Sequence, residues 1–182
     1  DETGNGFDLE AGVAPEYQDN GIGGNPVVSF DDVDDYLTTN WTDLPQPYHI
    51  FIVFQITGTI SATQRIYDAE DGGNRSSFGT SEDDEWFLQG ENVVRGSAPD
   101  QNEYIGSTLW NDPNSVLRLN GVENVSGDAT AGPLDGFMLN ASSVGLDQQQ
   151  GLSVGEVLVY ETDKTDIQED IEDYLNASWR VY

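Results

Sequence analysis

With 182 residues, 36% of them hydrophobic and 10% aromatic, the chain is long enough for one domain with its own core and too apolar to be a disordered acidic segment. Six basic residues face 34 acidic ones, a formal net charge of -28, so no basic stripe exists to meet phosphates and nucleic acid is excluded as a direct partner. The absence of cysteine removes disulfides and thiolate metal sites, and no run of about 18 apolar residues is present to span a membrane.

Short apolar runs alternate with clusters of Gly, Asn, Asp and Ser up to residue 165, the pattern of a β-sandwich rather than of helices. The first strand expected is 26–30. The strongest is 48–57 (YHIFIVFQIT), bounded upstream by Pro45 and Pro47, which cannot donate to a sheet ladder. Both of its faces are apolar, with Ile50, Ile52, Phe54 and Ile56 on one and Phe51 and Val53 on the other. It therefore lies centrally, or beneath a covering segment. Further strands are expected at 64–68, 76–79, 85–89, 104–110, 116–120, 136–140 and 152–160. Turn chemistry separates them at Asp71-Gly72-Gly73-Asn74, Asn111-Asp112-Pro113-Asn114 and Asn120-Gly121, the last a hairpin turn that starts a partner strand. By contrast, 7–13 is short and interrupted by Gly12. One helix is expected near the C-terminus. Thr165 and Gln168 have capping-box spacing, and Asp166, Glu169 and Asp170 stand at the positive end of the dipole. Ile167, Ile171, Tyr174 and Leu175 make one apolar stripe for docking on a sheet.

Three stretches together resemble the concanavalin A-like lectin/glucanase superfamily, and within it the laminin-G-like domains of bacterial surface proteins and phage structural proteins. They are 1–6 (DETGNG), 20–37 (NGIGGNPVVSFDDVDDYL) and 155–175 (GEVLVYETDKTDIQEDIEDYL). The resemblance implies an all-β jelly-roll sandwich of two antiparallel sheets with one short C-terminal helix, forming a single domain over 1–182. Two departures stand out. Asp32 occupies a position where the family has glycine, so the turn there need not adopt positive φ. The strand that precedes the DETGNG position in the family has no counterpart, which leads to the expectation that an upstream segment or a neighbouring subunit covers that sheet edge. The start at Asp1 reads as a processed product, an excised domain or the ordered part of a longer protein.

The fold hosts lectins, glucanases and structural modules alike, so function has to be read from sites. The glucanase branch places paired acids on one strand. Here Glu82-Asp83-Asp84-Glu85 and Glu161-Thr162-Asp163 lack that alternation, and the only histidine, His49, sits mid-strand in an apolar run. No catalytic residue is therefore assigned. Asp31, Asp34 and Asp35, together with Asp32, can be read as Ca2+ ligands or as acids holding a turn through hydrogen bonds. Glu156, among apolar residues of the last strand, reads as a buried hydrogen-bonding acid. Of Trp41, Trp86, Trp110 and Trp179, the loop-like Trp41 and the strand-end Trp110 are the candidates for stacking on a sugar. Sequons fall at Asn40, Asn74, Asn124, Asn140 and Asn176, five where about two would arise by chance.

Acid excess with a single lysine, Lys164, reads as adaptation to high salt, where screening removes self-repulsion and carboxylates hold water. An acidic secreted protein at ordinary salt is the alternative. The expectation is a non-catalytic extracellular module, either on the virion of a halophilic archaeal virus or in a haloarchaeal cell-surface protein. Its partners would be other virion or surface-layer proteins and host glycans, with the chain part of a homo-oligomer or larger assembly.

Overall fold

The computed structural model describes all residues except 1–3, 5, 7, 61 and 71–74. The turns expected at 1–6 and 71–74 and the sequon at Asn74 therefore lie wholly or partly outside the described residues. In chain order the strands are β1 (Glu10–Val13), β2 (Glu16–Gln18), β3 (Val27–Phe30), β4 (Tyr36–Thr39), β5 (Tyr48–Ile56), β6 (Gln64–Asp68) and β7 (Ser77–Thr80). They continue with β8 (Trp86–Gln89), β9 (Val93–Arg95), β10 (Glu103–Trp110), β11 (Ser115–Leu119), β12 (Val122–Gly127), β13 (Phe137–Leu139) and β14 (Leu152–Tyr160), and end in helix α1 (Gln168–Trp179). Two seven-stranded sheets result, ordered β1-β4-β13-β6-β7-β8-β9 and β12-β11-β10-β5-β14-β3-β2, with every paired strand antiparallel. The expected all-β sandwich with a C-terminal helix is what forms.

Strand β5 holds the centre of the second sheet between β10 and β14. Its two apolar faces serve two cores. Ile50, Ile52, Phe54 and Ile56 point between the sheets, where Phe54 meets Trp86 edge-on at 5.9 Å and Phe78 at 5.7 Å. Such aromatic pairs add roughly 0.5–1.5 kcal/mol each beyond the area they bury. Phe51 and Val53 face the other way and form a second cluster with Ile22, Val27, Ile105, Ile171 and Leu175, under α1.

The helix departs from expectation at its start. It begins at Gln168 without a side-chain cap, because Thr165 donates both its N–H and its hydroxyl to Asp163 instead of turning to the helix. Ile167 and Tyr174 are solvent-exposed, so the buried stripe is Ile171 and Leu175 with a polar member, Glu172. Glu172 Oε1 accepts from Arg118 Nε at 3.2 Å, Ser107 Oγ at 3.1 Å and Gln168 Nε2 at 3.0 Å. This network ties α1 to β10 and β11.

Strands β1, β2, β4 and β9 were not expected. β1 and β2 are exposed throughout, so they carry no inside–outside alternation to read. Gly12, which looks like an interruption, is what lets β1 form: a Cβ there would lie 1.8 Å from Tyr36 Cζ, whose ring crosses the strand. The Asn120-Gly121 turn is a true hairpin, with φ of 49° and 77° at its two residues and β11 paired to β12.

Candidate functional site

The outer faces of the two sheets differ. That of the second is covered in part by α1, beside which Gln55, Glu103 and Asn120 line an open cleft of about 430 Å³, whereas that of the first carries a cleft of about 290 Å³ over β6 to β9. The cleft is built by register. Arg65 pairs with Gly79, Gly79 with Phe87, and Phe87 with Arg95, one cross-strand row along a single face of four strands. Gly79 is required in that row, because a Cβ there would stand 2.0 Å from the carbonyl oxygen of Gln64. The gap it leaves separates Arg65 from Phe87 by one strand, and the guanidinium of Arg65 lies over the Phe87 ring at 4.5 Å. The lining also includes Arg75, Gln89 and Gln148.

Three of the chain's six basic residues, Arg65, Arg75 and Arg95, thus line one cleft in a molecule of net charge -28. Their states differ. Arg95 is half-exposed and reaches Glu85 at 3.4 Å. Arg75 is held by Asp68 at 2.9 Å and Ser142 at 3.1 Å, which leaves its buried Nε–H without a partner. Arg65 is only 2% exposed and donates Nη2–H to Gln89 Oε1 at 2.8 Å, while its Nε and Nη1 have no partner. Burial and the neighbouring Arg75 charge lower its pKa to about 10, so it remains a cation at neutral pH. No lining residue is a carboxylate or a histidine among those described.

The residues singled out in the sequence are not brought together here. Trp110 is wholly buried with Nε1 bonded to the Tyr67 hydroxyl at 2.9 Å, which leaves no ring face for a sugar. Trp41 is half-buried, stacks on Phe137 at 6.3 Å and donates to the Leu134 carbonyl at 3.2 Å, so its ring belongs to the rim of the core. Trp86 lies in the core, and Trp179 packs on Gly155 and donates to Glu156 at 2.8 Å. Glu156 is half-buried and does bond as an acid.

Asp31, Asp34 and Asp35 bring one carboxylate oxygen each within 4.8 Å of the others. Two of these side chains serve the loop itself: Asp31 Oδ1 accepts from Val33 N at 3.0 Å and Asp34 N at 3.2 Å, and Asp35 Oδ2 from Asp31 N at 2.8 Å. The N–H groups of Asp34 and then Val33 hold the Asp31 carboxyl below its usual range. Ca2+ takes about six to eight oxygens, so three carboxylates would supply only part of a shell. Asp32 reaches across to accept from Gly151 N at 2.9 Å.

Of the sequons, Asn40 is exposed, and Asn124 and Asn176 are half-buried with their amides bonded to Ser97 and Tyr182. Asn140 is wholly buried. Its amide donates to the Asp35 carbonyl and accepts from Gln150 N, both at 3.0 Å, so the folded chain offers no room for sugar there. Glu82-Asp83-Asp84-Glu85 is a turn closed by Ser81 N to Glu85 O at 2.9 Å. His49 is buried, stacks on Phe51 at 4.5 Å, and is held by burial at a pKa of about 4.

No family model and no curated protein matches the sequence. Solved structures do match in fold. Domain 4 of an extracellular arabinanase from Geobacillus stearothermophilus, in complex with arabinotriose, aligns at TM-score 0.64 and 15% identity over 88% of this chain and 85% of that one. A sialidase of Trypanosoma rangeli, in complex with 2,3-difluorosialic acid, aligns at TM-score 0.68 and 11% identity over 93% of this chain and 30% of the sialidase. The binding domain of botulinum neurotoxin DC, in complex with rat synaptotagmin II, aligns at 0.63 and 14% identity over 94% of this chain and 47% of that one. The chain therefore spans under a third of the sialidase's length and about half of the toxin chain's. At these identities the likeness establishes the fold: a β-sandwich jelly roll, consistent with the concanavalin-like resemblance.

Proposed function

We propose that this chain is a non-catalytic carbohydrate-binding module, displayed at an extracellular or virion surface and adapted to high salt. The observation that carries the reading is the concentration of three of the six basic residues in the cleft on the outer face of the first sheet. That cleft is lined by guanidinium, amide and hydroxyl groups, which hydrogen-bond sugar hydroxyls. The near full-length likeness to a domain seen with arabinotriose supports it. The absence of carboxylates and histidine among the described lining residues supports a binding role over glycoside hydrolysis, which needs two placed acids. The charge of -28 and single lysine support the high-salt setting.

The test is a glycan array probed with the folded chain in molar KCl, followed by titration of each hit and chromatography of the sugar after long incubation. Retention of a defined glycan class without cleavage is expected. A folded chain that retains no glycan would overturn the reading, and cleavage products would overturn its non-catalytic part.

A further inference from the structure

We propose that the cleft lined by Arg65, Arg75 and Arg95 receives an anionic substituent carried on a sugar, a carboxylate or a sulfate ester. This deepens the carbohydrate-binding reading and rests on it.

Arginine cannot escape burial by losing its proton, so a buried guanidinium has to be matched by acceptors. The partly buried Arg118 keeps that rule. Arg118 has the two oxygens of Glu172 and the Gly121 carbonyl. Arg65 is the exception: at 2% exposure its one hydrogen-bond acceptor is the neutral side chain of Gln89, and two of its nitrogens are unmatched. Neighbouring Arg75 is paired with Asp68, and Asp68 and Asp147 offset part of the charge on Arg65 without bonding to it, while Arg75 adds a third unmatched nitrogen. Leaving buried charged donors without acceptors is destabilising, and a chain with 34 carboxylates had many means of supplying one. The unmet demand is for oxyanion oxygens, which a guanidinium binds two at a time.

The surroundings fix what carries the anion. Phe87 is buried beneath Arg65 and leaves polar groups to meet a ligand. Gln89 and Gln148 offer amides, and Thr63 and Ser81 offer side-chain hydroxyls, groups suited to sugar hydroxyls. Arg95, with 43% of its side chain exposed, pairs only loosely with Glu85 and can turn inward over a ligand. A cleft of about 290 Å³ has room for one such sugar residue and not for an extended chain.

The experiment is calorimetric titration in molar KCl with trigalacturonic acid, its fully methyl-esterified counterpart, a sulfated disaccharide, and sodium sulfate alone. At least ten-fold tighter binding of the acid than of its ester is expected, or of the sulfated disaccharide if sulfate is the natural substituent. Arg65→Met should abolish the preference. Because a buried substitution can unfold the chain, Arg95→Gln at the rim is the second variant, with a loss of at least ten-fold at an unchanged melting temperature. Equal binding of acid, ester and sulfated sugar, or full binding by folded Arg95→Gln, would overturn the inference while leaving carbohydrate binding intact. Sodium sulfate binding as tightly as either sugar would reduce the site to a simple anion site and overturn it too. Failure to bind any glycan at all would fell both readings together.

Discussion

Glu172→Ala tests how the helix is held. In the folded chain Glu172 is 3% exposed and is the acceptor for Arg118, Ser107 and Gln168. Truncation leaves Arg118 with the Gly121 carbonyl at 2.6 Å as its remaining acceptor, whereas Ser107 and Gln168 keep their bond to each other at 2.6 Å. Removing one member of a buried ion pair costs about 3–5 kcal/mol. The Arg118 side chain is 25% exposed and can recover some water, so the low end applies, about 3 kcal/mol. For a chain of this length that corresponds to a fall in melting temperature of roughly 6–12 °C. Urea titration at constant molar KCl, read by tryptophan fluorescence, measures it without changing ionic strength. A double-mutant cycle with Arg118→Met isolates the pair, with an expected coupling of about 2 kcal/mol. A cost for Glu172→Ala below about 1 kcal/mol, the level of an exposed ion pair, would refute the reading of Glu172 as the anchor.

Two further outcomes follow from charge. His49 is held near pH 4 by burial against an ordinary 6.5, so below 6.5 the unfolded chain takes a proton that the folded chain refuses. Its contribution to stability is complete above pH 6.5 and is lost as pH falls towards 4, by up to about 3 kcal/mol. Comparing urea midpoints of wild type and His49→Phe across that range cancels the carboxylates common to both, and parallel profiles would refute the assignment. Dilution from molar to tens of millimolar KCl should steeply lower the melting temperature, given the net charge of -28. An unchanged value would sink the high-salt reading.

Where composition carried an inside–outside signal, the elements could be read. The run 48–57 announced a doubly buried strand, and β5 is buried on both sides for two different reasons, the facing sheet and the helix. Elements that bury nothing themselves were missed. β1 and β2 consist of exposed residues and exist because β4 and β3 offer them ladders. The helix stripe was half right because Glu172 takes a buried place that only a partner on β11 makes tolerable. Trp110 and Asn140 are buried for one reason: a strand end and a sequon look exposed in sequence, while the sandwich closes over both. The cleft was out of reach altogether. Arg65, Gly79, Phe87 and Arg95 come into line through the register of four strands, a relation that no spacing along the chain encodes.

The acid surface and the arginine cleft are linked by screening. A molecule of net charge -28 at low ionic strength repels any anion before it arrives, and the few positive charges it retains cannot reverse that field. At about 1 M salt the Debye length falls to about 3 Å, shorter than the width of one sugar ring, and the distant carboxylates cease to act. Contacts made inside the cleft survive, because buried charges are screened much less than exposed ones. Burial of Arg65 thus has a different consequence from exposure of the same residue: it keeps a guanidinium effective where a surface lysine would be screened and hydrated. On the proposed reading, an acidic exterior and a recessed cationic cleft work together at high ionic strength, where the field of the one is screened and the contacts of the other are much less so.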